Sequence, residues 1–131
     1  MKYYVGIDLG GTNIKVGILN RQIKHLGKKT EPTDVAKGAQ KNLDTIADTV
    51  KNILAARKLD LHNVHAAGIG APGPANIADG VIIFAPNIPG FENAPIKEWL
   101  AERLKVPVVF ENDANAACWG EFVAGVGKDM K

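Results

Sequence analysis

An apolar run and a stretch of alternating apolar and polar positions mark two strands near the start of the 131-residue chain. Residues 3–7 form an apolar run with the length and composition of a buried strand. Residues 14–20 are apolar at every second position, at Ile14, Val16 and Ile18, as in a half-buried strand. Between the two runs lie an acid, two glycines and a threonine. The pattern therefore predicts a strand, a tight turn and a second strand.

The next segment combines a weak strand pattern with a long helical stripe. Residues 21–29 alternate weakly and carry five basic side chains, which favours a third strand at an exposed sheet edge. Thr33 and Asp34 follow a proline and are favourable helix caps. Apolar residues then recur at spacings of three and four, which predicts a helix over residues 35–57. Residues 64–69 are small and apolar, typical of a central strand.

The rest of the chain continues to alternate between strands and helices. Glycines and prolines at residues 70–74 predict a turn, and residues 81–84 a short strand. A second helix is predicted to start near residues 93–95, a last strand to span 106–110 and a further helix 116–124. The period of the second helix places four charged residues on a solvated face: Lys97, Glu98, Glu102 and Arg103. This order predicts an α/β domain with a mixed sheet flanked by helices.

Composition and charge fit one globular domain and exclude several classes of protein. The apolar content of 46% and the charged content of 23% are ordinary for such a domain. A net charge of +2 is too small to indicate a nucleic-acid or membrane-surface partner. Cys118 is the single cysteine, so this chain alone cannot build a disulfide framework or a cysteine metal cluster. No membrane span or signal-peptide pattern is visible, and we expect a cytoplasmic domain.

The glycine pair in the first turn is the first candidate site. A Walker-type loop or a dinucleotide fingerprint places its glycines before a helix, whereas here a strand follows them. Gly10 and Gly11 instead let backbone N–H groups approach an anion such as phosphate. Thr12 adds a hydroxyl, Lys15 adds a charge if it faces the turn, and Asp8 is placed to hold Mg²⁺ through water. The alternative is a plain hairpin with a Gly-Gly turn.

Polar residues at the end of the last strand form the second candidate site. Glu111, Asn112 and Asp113 leave the carboxyl end of a buried strand, where open α/β sheets bind ligands. Asp113 would lie in the first turn of a helix, where the dipole favours a carboxylate that can accept a proton from a substrate hydroxyl. Asn112 has both a donor and an acceptor, which suits a sugar hydroxyl. The alternative is that Asn112 or Asp113 is only a helix N-cap.

Four motifs together resemble the N-terminal lobe of the ROK family of repressors, open reading frames and kinases. In chain order they are Asp8-Leu9-Gly10-Gly11-Thr12, Gly70-Ala71-Pro72-Gly73, Pro86-Asn87-Ile88-Pro89-Gly90-Phe91 and Glu111-Asn112-Asp113-Ala114-Asn115-Ala116. The resemblance covers essentially the whole chain and is closest to the bacterial glucokinases of that family. It implies the ribonuclease-H-like, actin-like ATPase fold and the ATP-dependent phosphorylation of a hexose, glucose to glucose 6-phosphate.

The resemblance also implies roles for individual residues. The Asp8 turn matches the first phosphate motif, which faces MgATP, and Asp113 matches the catalytic base. Asn112 matches a ligand of a sugar hydroxyl, and Asn87 and the turn at residues 72–73 match loops that line the sugar pocket. We therefore expect nucleotide binding at Asp8, Gly10, Gly11, Thr12 and Lys15, and substrate binding at Pro72, Gly73, Asn87, Glu111 and Asn112.

In the resembled family a second lobe follows, with another phosphate motif, a Glu-x-Gly-His sugar segment and a Cys/His zinc cluster. None of these occurs here, so we expect residues 1–131 to be the N-terminal lobe, inactive alone, with structural zinc confined to the C-terminal half. We also expect an exposed apolar patch, and hence self-association or pairing with the missing lobe. The alternatives are a fragment of a ROK transcriptional regulator and a non-catalytic sugar-binding or assembly module.

Overall fold

A computed structural model of the chain describes residues 3–20, 25–70, 75–76, 80–83 and 90–111. The strands in this part are β1 (Tyr3–Leu9), β2 (Asn13–Leu19), β3 (His25–Pro32), β4 (Val64–Gly70), β5 (Ala75–Asn76), β6 (Val81–Ile82) and β7 (Val108–Glu111). The α-helices are α1 (Gly38–Ala56) and α2 (Ile96–Leu104). The further helix predicted over residues 116–124 lies outside the described residues.

Five of the strands form one mixed sheet in the order β3-β2-β1-β4-β7. Strands β1, β4 and β7 run parallel, while β2 is antiparallel to both of its neighbours. Helix α1 lies between β3 and β4 in the chain, and α2 lies between β4 and β7. Parallel neighbours need such crossover connections. The predicted mixed sheet with packed helices is confirmed.

One face of this sheet forms the core together with both helices. Ile14, Val16 and Ile18 are at most 1% exposed, as their alternation predicts. They share one apolar cluster with Leu43 of α1 and Leu100 of α2, both of which are fully buried. The helical stripes of the sequence therefore face the sheet. Neither helix has the length and apolarity needed to cross a membrane.

Strand β3 forms the edge of the sheet, as predicted, but it occupies residues 25–32 instead of 21–29. It pairs with the full length of β2, and the last pair joins Asn13 to Pro32. Pairing with β2 fixes the bounds of an edge strand whose own alternation is weak. A proline has no N–H to donate to a ladder, and Pro32 is tolerated because it lies at the end of an edge strand.

Thr33 and Asp34 do not cap α1, contrary to the prediction. The N-cap residue of α1 is Lys37, which makes no side-chain cap hydrogen bond. A short 3-10 turn separates the two predicted caps from the helix, so their side chains cannot reach its first N–H groups. Instead, the Thr33 hydroxyl donates to the carbonyl of Gly10, and the buried Asn42 side chain binds both backbone groups of Asp34.

The segment between β4 and α2 forms a small second sheet. Strands β5 and β6 are two residues each and pair antiparallel, so the strand predicted over residues 81–84 is shorter than expected. Ile83, the next residue, is 51% exposed. Gly80 has a φ of +68°, and a Cβ there would collide with the Lys97 side chain of α2. A glycine is needed at this position for both reasons.

Arg103 connects the two helices, although the sequence placed it on a solvated face. Its Nε donates to Oδ1 of Asp44 in α1 at 2.8 Å. Its two terminal nitrogens donate to the Trp99 carbonyl oxygen at 3.1 Å and to the Gln40 side chain. The guanidinium group therefore joins α2 to the N-terminal half of α1. The fit of the guanidinium group to these acceptors depends on the planar, forked arrangement of its N–H donors.

Replacing Arg103 with Leu is expected to lower the free energy of unfolding by about 1 kcal/mol, because the ion pair is partly exposed but Arg103 has two further partners, Trp99 and Gln40. Arg103→Lys keeps the charge without the fork and should recover less than half of this loss. Urea unfolding monitored by circular dichroism measures both changes. Glu102→Gln, at the exposed neighbouring position, serves as the control. An unchanged unfolding midpoint for Arg103→Leu would show that the link contributes nothing.

Candidate active site at the carboxyl edge of the sheet

The carboxyl ends of β1, β4 and β7 meet at one edge of the sheet. Asp8 of β1 is in register with Gly70 of β4, and Gly70 is in register with Glu111 of β7. Because adjacent strands lie about 4.8 Å apart, the backbones of Asp8 and Glu111 are about 10 Å apart. Three of the motifs singled out in the sequence therefore leave the sheet side by side. Open α/β sheets bind their ligands at this end.

The structure describes half of the predicted site. Asp8 is half-buried, Thr12 and Lys15 are exposed, and Glu111 is the last residue of β7. The glycines Gly10 and Gly11 lie in the turn between β1 and β2. The other predicted site residues lie outside the described part of the chain: Pro72, Gly73, Asn87, Asn112 and Asp113. The described residues thus comprise the predicted nucleotide-binding positions and one predicted sugar-binding position, Glu111.

Residues 10–12 connect β1 to β2 and are called the glycine turn below. The Gly10 N–H donates to the Asn13 carbonyl oxygen at 3.0 Å, which closes the turn. A Cβ on Gly10 would lie 3.0 Å from that same oxygen, closer than nearly all real Cβ contacts. The backbone can therefore turn this tightly because Gly10 has no side chain. Both interpretations offered by the sequence, a hairpin and an anion site, are compatible with this geometry.

The tip of the glycine turn presents backbone donors. Within the described part of the chain, no backbone carbonyl accepts a hydrogen bond from the N–H groups of Gly11 or Thr12. The Thr12 side chain is exposed, so its hydroxyl is accessible at the same place. Successive N–H groups in a turn form a concave site that attracts anions. The glycine turn is therefore suited to a phosphate group.

Asp8 and Lys15 add opposite charges to the base of the turn. The two residues are directly opposed across β1 and β2, so their side chains lie on the same face of the sheet. Among the described residues, no group of three or more His, Cys, Asp or Glu side chains could hold a metal ion. A single carboxylate beside a phosphate site suits Mg²⁺, which keeps several waters and takes its other ligands from substrate phosphates.

Thr33 belongs to this site, and the sequence interpretation as a helix cap missed it. Its hydroxyl donates to the Gly10 carbonyl oxygen at 2.8 Å, and its N–H donates to the Thr12 carbonyl oxygen at 2.9 Å. It follows Pro32, the residue that pairs with Asn13 at the end of β2. The bounds and register of β3 were needed to place it, and the weak alternation of that strand did not provide them.

Replacing Gly10 with Ala is expected to lower the free energy of unfolding by about 1–3 kcal/mol, because the new Cβ would press on a backbone oxygen that cannot rotate away. Urea unfolding of the two proteins under identical conditions measures the difference. Equal unfolding midpoints would mean that the turn relaxes without cost and that glycine is not required there.

The comparisons with known proteins identify relatives along nearly the whole chain. A sequence profile described as the ROK family matches residues 4–131. The glucokinase of Streptomyces coelicolor is 39% identical over 124 residues, which cover 95% of this chain and 37% of that protein. The ROK hexokinase of Thermus thermophilus has a similar structure, with a TM-score of 0.77 and 36% identity, over 91% of this chain and 38% of that one.

A further solved structure is the ROK family glucokinase of Streptomyces griseus in complex with glucose and AMPPNP. It has a TM-score of 0.68 and 35% identity, over 95% of this chain and 38% of that one. The chain thus spans less than two fifths of the length of these relatives. The sheet and its helices are those of the actin-like ATPase fold of ROK sugar kinases. The chain belongs to the ROK family.

Proposed function

We propose that the full-length protein containing this chain is an ATP-dependent hexose kinase, with glucose as the first candidate substrate. This chain would supply the N-terminal lobe, including the first phosphate site, the catalytic base and part of the sugar pocket. The observation that carries the proposal is the register of Asp8, Gly70 and Glu111, which places three motif-bearing strand ends at one sheet edge. Relatives named glucokinase support the choice of reaction.

The glycine turn would bind the phosphates of the nucleotide. The backbone N–H groups of Gly11 and Thr12 and the Thr12 hydroxyl are the donors, and Lys15 adds positive charge on the face that it shares with Asp8. Asp8 would hold Mg²⁺ through water, and the bound ion would neutralise charge on the phosphates. Phosphoryl transfer depends mainly on positioning and charge stabilisation, and these residues supply both.

Asp113 would act as the general base. It follows the end of β7 by two residues in sequence, and its carboxylate would accept the proton of the sugar hydroxyl that attacks the terminal phosphate. Asn112 would bind a neighbouring sugar hydroxyl through its amide. The remaining sugar-binding positions in this proposal are Pro72, Gly73, Asn87 and Glu111.

The motif that contains Asn87 ends in two residues that the structure describes, Gly90 and Phe91. Phe91, at the end of its motif, is fully buried in the core. Gly90, with a φ of +92°, lies next to Gly38 at the start of α1, and the Gly90 N–H donates to Oε2 of Glu92 at 2.9 Å. The end of this motif therefore lies beside the start of α1.

The opposite wall of the cleft would come from the part of the relatives that this chain does not match. The chain spans 37% to 39% of the glucokinases compared. We propose that the isolated chain is inactive for this reason, that it pairs with the second lobe or self-associates, and that any structural zinc belongs to that lobe. Ile83 and Val109, exposed at 51% and 36%, are apolar positions that such pairing could cover.

The test is a coupled assay of hexose phosphorylation by the full-length protein, with ATP and a panel of glucose, mannose, N-acetylglucosamine and N-acetylmannosamine. The proposal predicts ATP-dependent formation of glucose 6-phosphate. If only another hexose is phosphorylated, the proposed kinase activity is retained and that hexose replaces glucose as the substrate. Sugar binding without any phosphorylation, measured by calorimetry on the same sample, would identify a binding module or regulator instead.

A further inference from the structure

We infer that Thr33 is a positioning residue that orients the glycine turn for phosphate binding, an inference that rests on the proposed function. Thr33 contacts the turn from outside, 23 residues further along the chain than Gly10. Its Oγ1 donates to the Gly10 carbonyl oxygen at 2.8 Å and its N–H donates to the Thr12 carbonyl oxygen at 2.9 Å. One residue thus holds the carbonyl groups at both ends of the turn.

The bond to the Gly10 carbonyl sets the direction of one N–H group that would bind phosphate. The structure contains no cis peptide bond among its described residues. In a trans peptide unit the carbonyl of one residue and the N–H of the next point in opposite directions. Because the Gly10 carbonyl points at Thr33, the N–H of Gly11 points away from Thr33. The Thr33 hydroxyl therefore fixes the orientation of the Gly11 N–H, which no carbonyl group of the described residues accepts.

Thr33 is itself held in place by α1. The next residue, Asp34, donates its N–H to Oδ1 of Asn42 at 2.9 Å, and its carbonyl accepts from Nδ2 of Asn42 at 2.7 Å. Nδ2 also donates to the Gly38 carbonyl oxygen at 2.7 Å. Asn42 is 2% exposed, so the Asn42 end of these bonds is shielded from water. The hydrogen bonds of Asn42 and Thr33, joined by the Thr33–Asp34 peptide bond, thus connect the buried face of α1 to the glycine turn.

The threonine is not explained by the stability of the hairpin alone. The Gly10 N–H closes the turn on Asn13 without Thr33, and β2 pairs with β3 along its whole length. What the hydroxyl adds is a fixed orientation for one peptide unit of a short loop that would otherwise have alternative orientations. Catalytic groups are most effective when their orientation is fixed before the ligand binds, because no binding energy is then spent on ordering them.

The test is the variant Thr33→Val in the full-length protein. Valine keeps the shape and the backbone bond to Thr12 but removes the hydroxyl bond to Gly10. We expect the Kd for MgAMPPNP and the KM for ATP to rise about 10-fold, with the Kd for glucose unchanged within about twofold. Thr33→Ser restores the hydroxyl and should return the nucleotide affinity to within about threefold of wild type. Calorimetry gives the two affinities, and steady-state kinetics separates KM from kcat.

The matched control is Thr49→Val. Thr49 is 4% exposed, and its hydroxyl donates to the Thr45 carbonyl oxygen at 2.8 Å within α1, away from the turn. The Thr49→Val variant also loses a hydroxyl group, but outside the proposed site, so its nucleotide affinity should match that of the wild-type protein. Equal nucleotide affinity in Thr33→Val and Thr49→Val overturns the inference. A parallel loss of glucose and nucleotide affinity that Thr33→Ser does not rescue also overturns it, because that result indicates general loss of structure.

The same samples distinguish this inference from the proposed function. A wild-type protein that phosphorylates no hexose contradicts the proposed function, whatever the variants do. A wild-type kinase whose Thr33→Val variant behaves like wild type retains the proposed function and removes only the role of Thr33. A wild-type kinase with a selective, serine-rescued nucleotide defect supports both.

Discussion

Replacing Asp113 with Asn in the full-length protein is expected to lower kcat for hexose phosphorylation by about 10²–10⁴-fold, the usual contribution of a general base. Asparagine has nearly the same shape as aspartate and can still accept a hydrogen bond, but it cannot take up the proton of the attacking hydroxyl at neutral pH. Sugar affinity should therefore change by less than about threefold. A coupled assay gives kcat, and calorimetric titration with glucose gives the affinity.

The control for this variant is Asp48→Asn, which removes one negative charge from an exposed position of α1. Its kcat should equal that of the wild-type protein. Turnover that survives in Asp113→Asn would show that another group accepts the proton. Loss of glucose binding together with turnover would instead make Asp113 a sugar ligand or a structural N-cap.

Replacing Asp8 with Asn has the second largest expected effect, on the magnesium dependence of nucleotide binding. The wild-type protein should bind AMPPNP more tightly with Mg²⁺ than without it, and the variant should lose about 10-fold or more of that difference, because a charge-assisted contact contributes about 1.5–3 kcal/mol. Calorimetric titrations with and without Mg²⁺ measure the difference directly and need no turnover.

Asp48→Asn again provides the control, and thermal unfolding of both variants shows whether the half-buried position of Asp8 tolerates the amide. If Asp8→Asn keeps the full magnesium effect, then Asp8 does not hold the ion. If it binds the nucleotide equally weakly under both conditions while remaining folded, Asp8 acts on the phosphates through the turn and not through the metal.

The sequence predicted the mixed sheet and its packed helices because those features depend on local patterns. Alternating residues such as Ile14 and Val16 face the core, and the helical stripe around Leu43 faces the sheet. The order of strands and helices made β1, β4 and β7 parallel neighbours, which brings Asp8 and Glu111 to one edge. Each of these results follows from the spacing of apolar residues along the chain and from the connectivity of α/β units.

The features that the sequence missed depend on contacts between distant residues. The bond from Thr33 to Gly10 joins residues 23 apart, and the Arg103 bond to Asp44 joins residues 59 apart. Threonine after a proline and arginine on a helix have common local roles, as a cap and as a solvated charge. Those local preferences are worth a fraction of a kcal/mol to about 1 kcal/mol, so tertiary hydrogen bonds can override them.

The central claim is that the glycine turn of this chain binds the phosphates of a nucleotide. The most direct measurement is the amide NMR spectrum of the ¹⁵N-labelled full-length protein, recorded with saturating glucose before and after MgAMPPNP is added. The amide signals of Gly11 and Thr12 are expected to shift strongly on addition of the nucleotide, because their N–H groups would gain phosphate acceptors. Unchanged signals for these two residues, in a spectrum where other amides respond to the nucleotide, would contradict phosphate binding by the glycine turn.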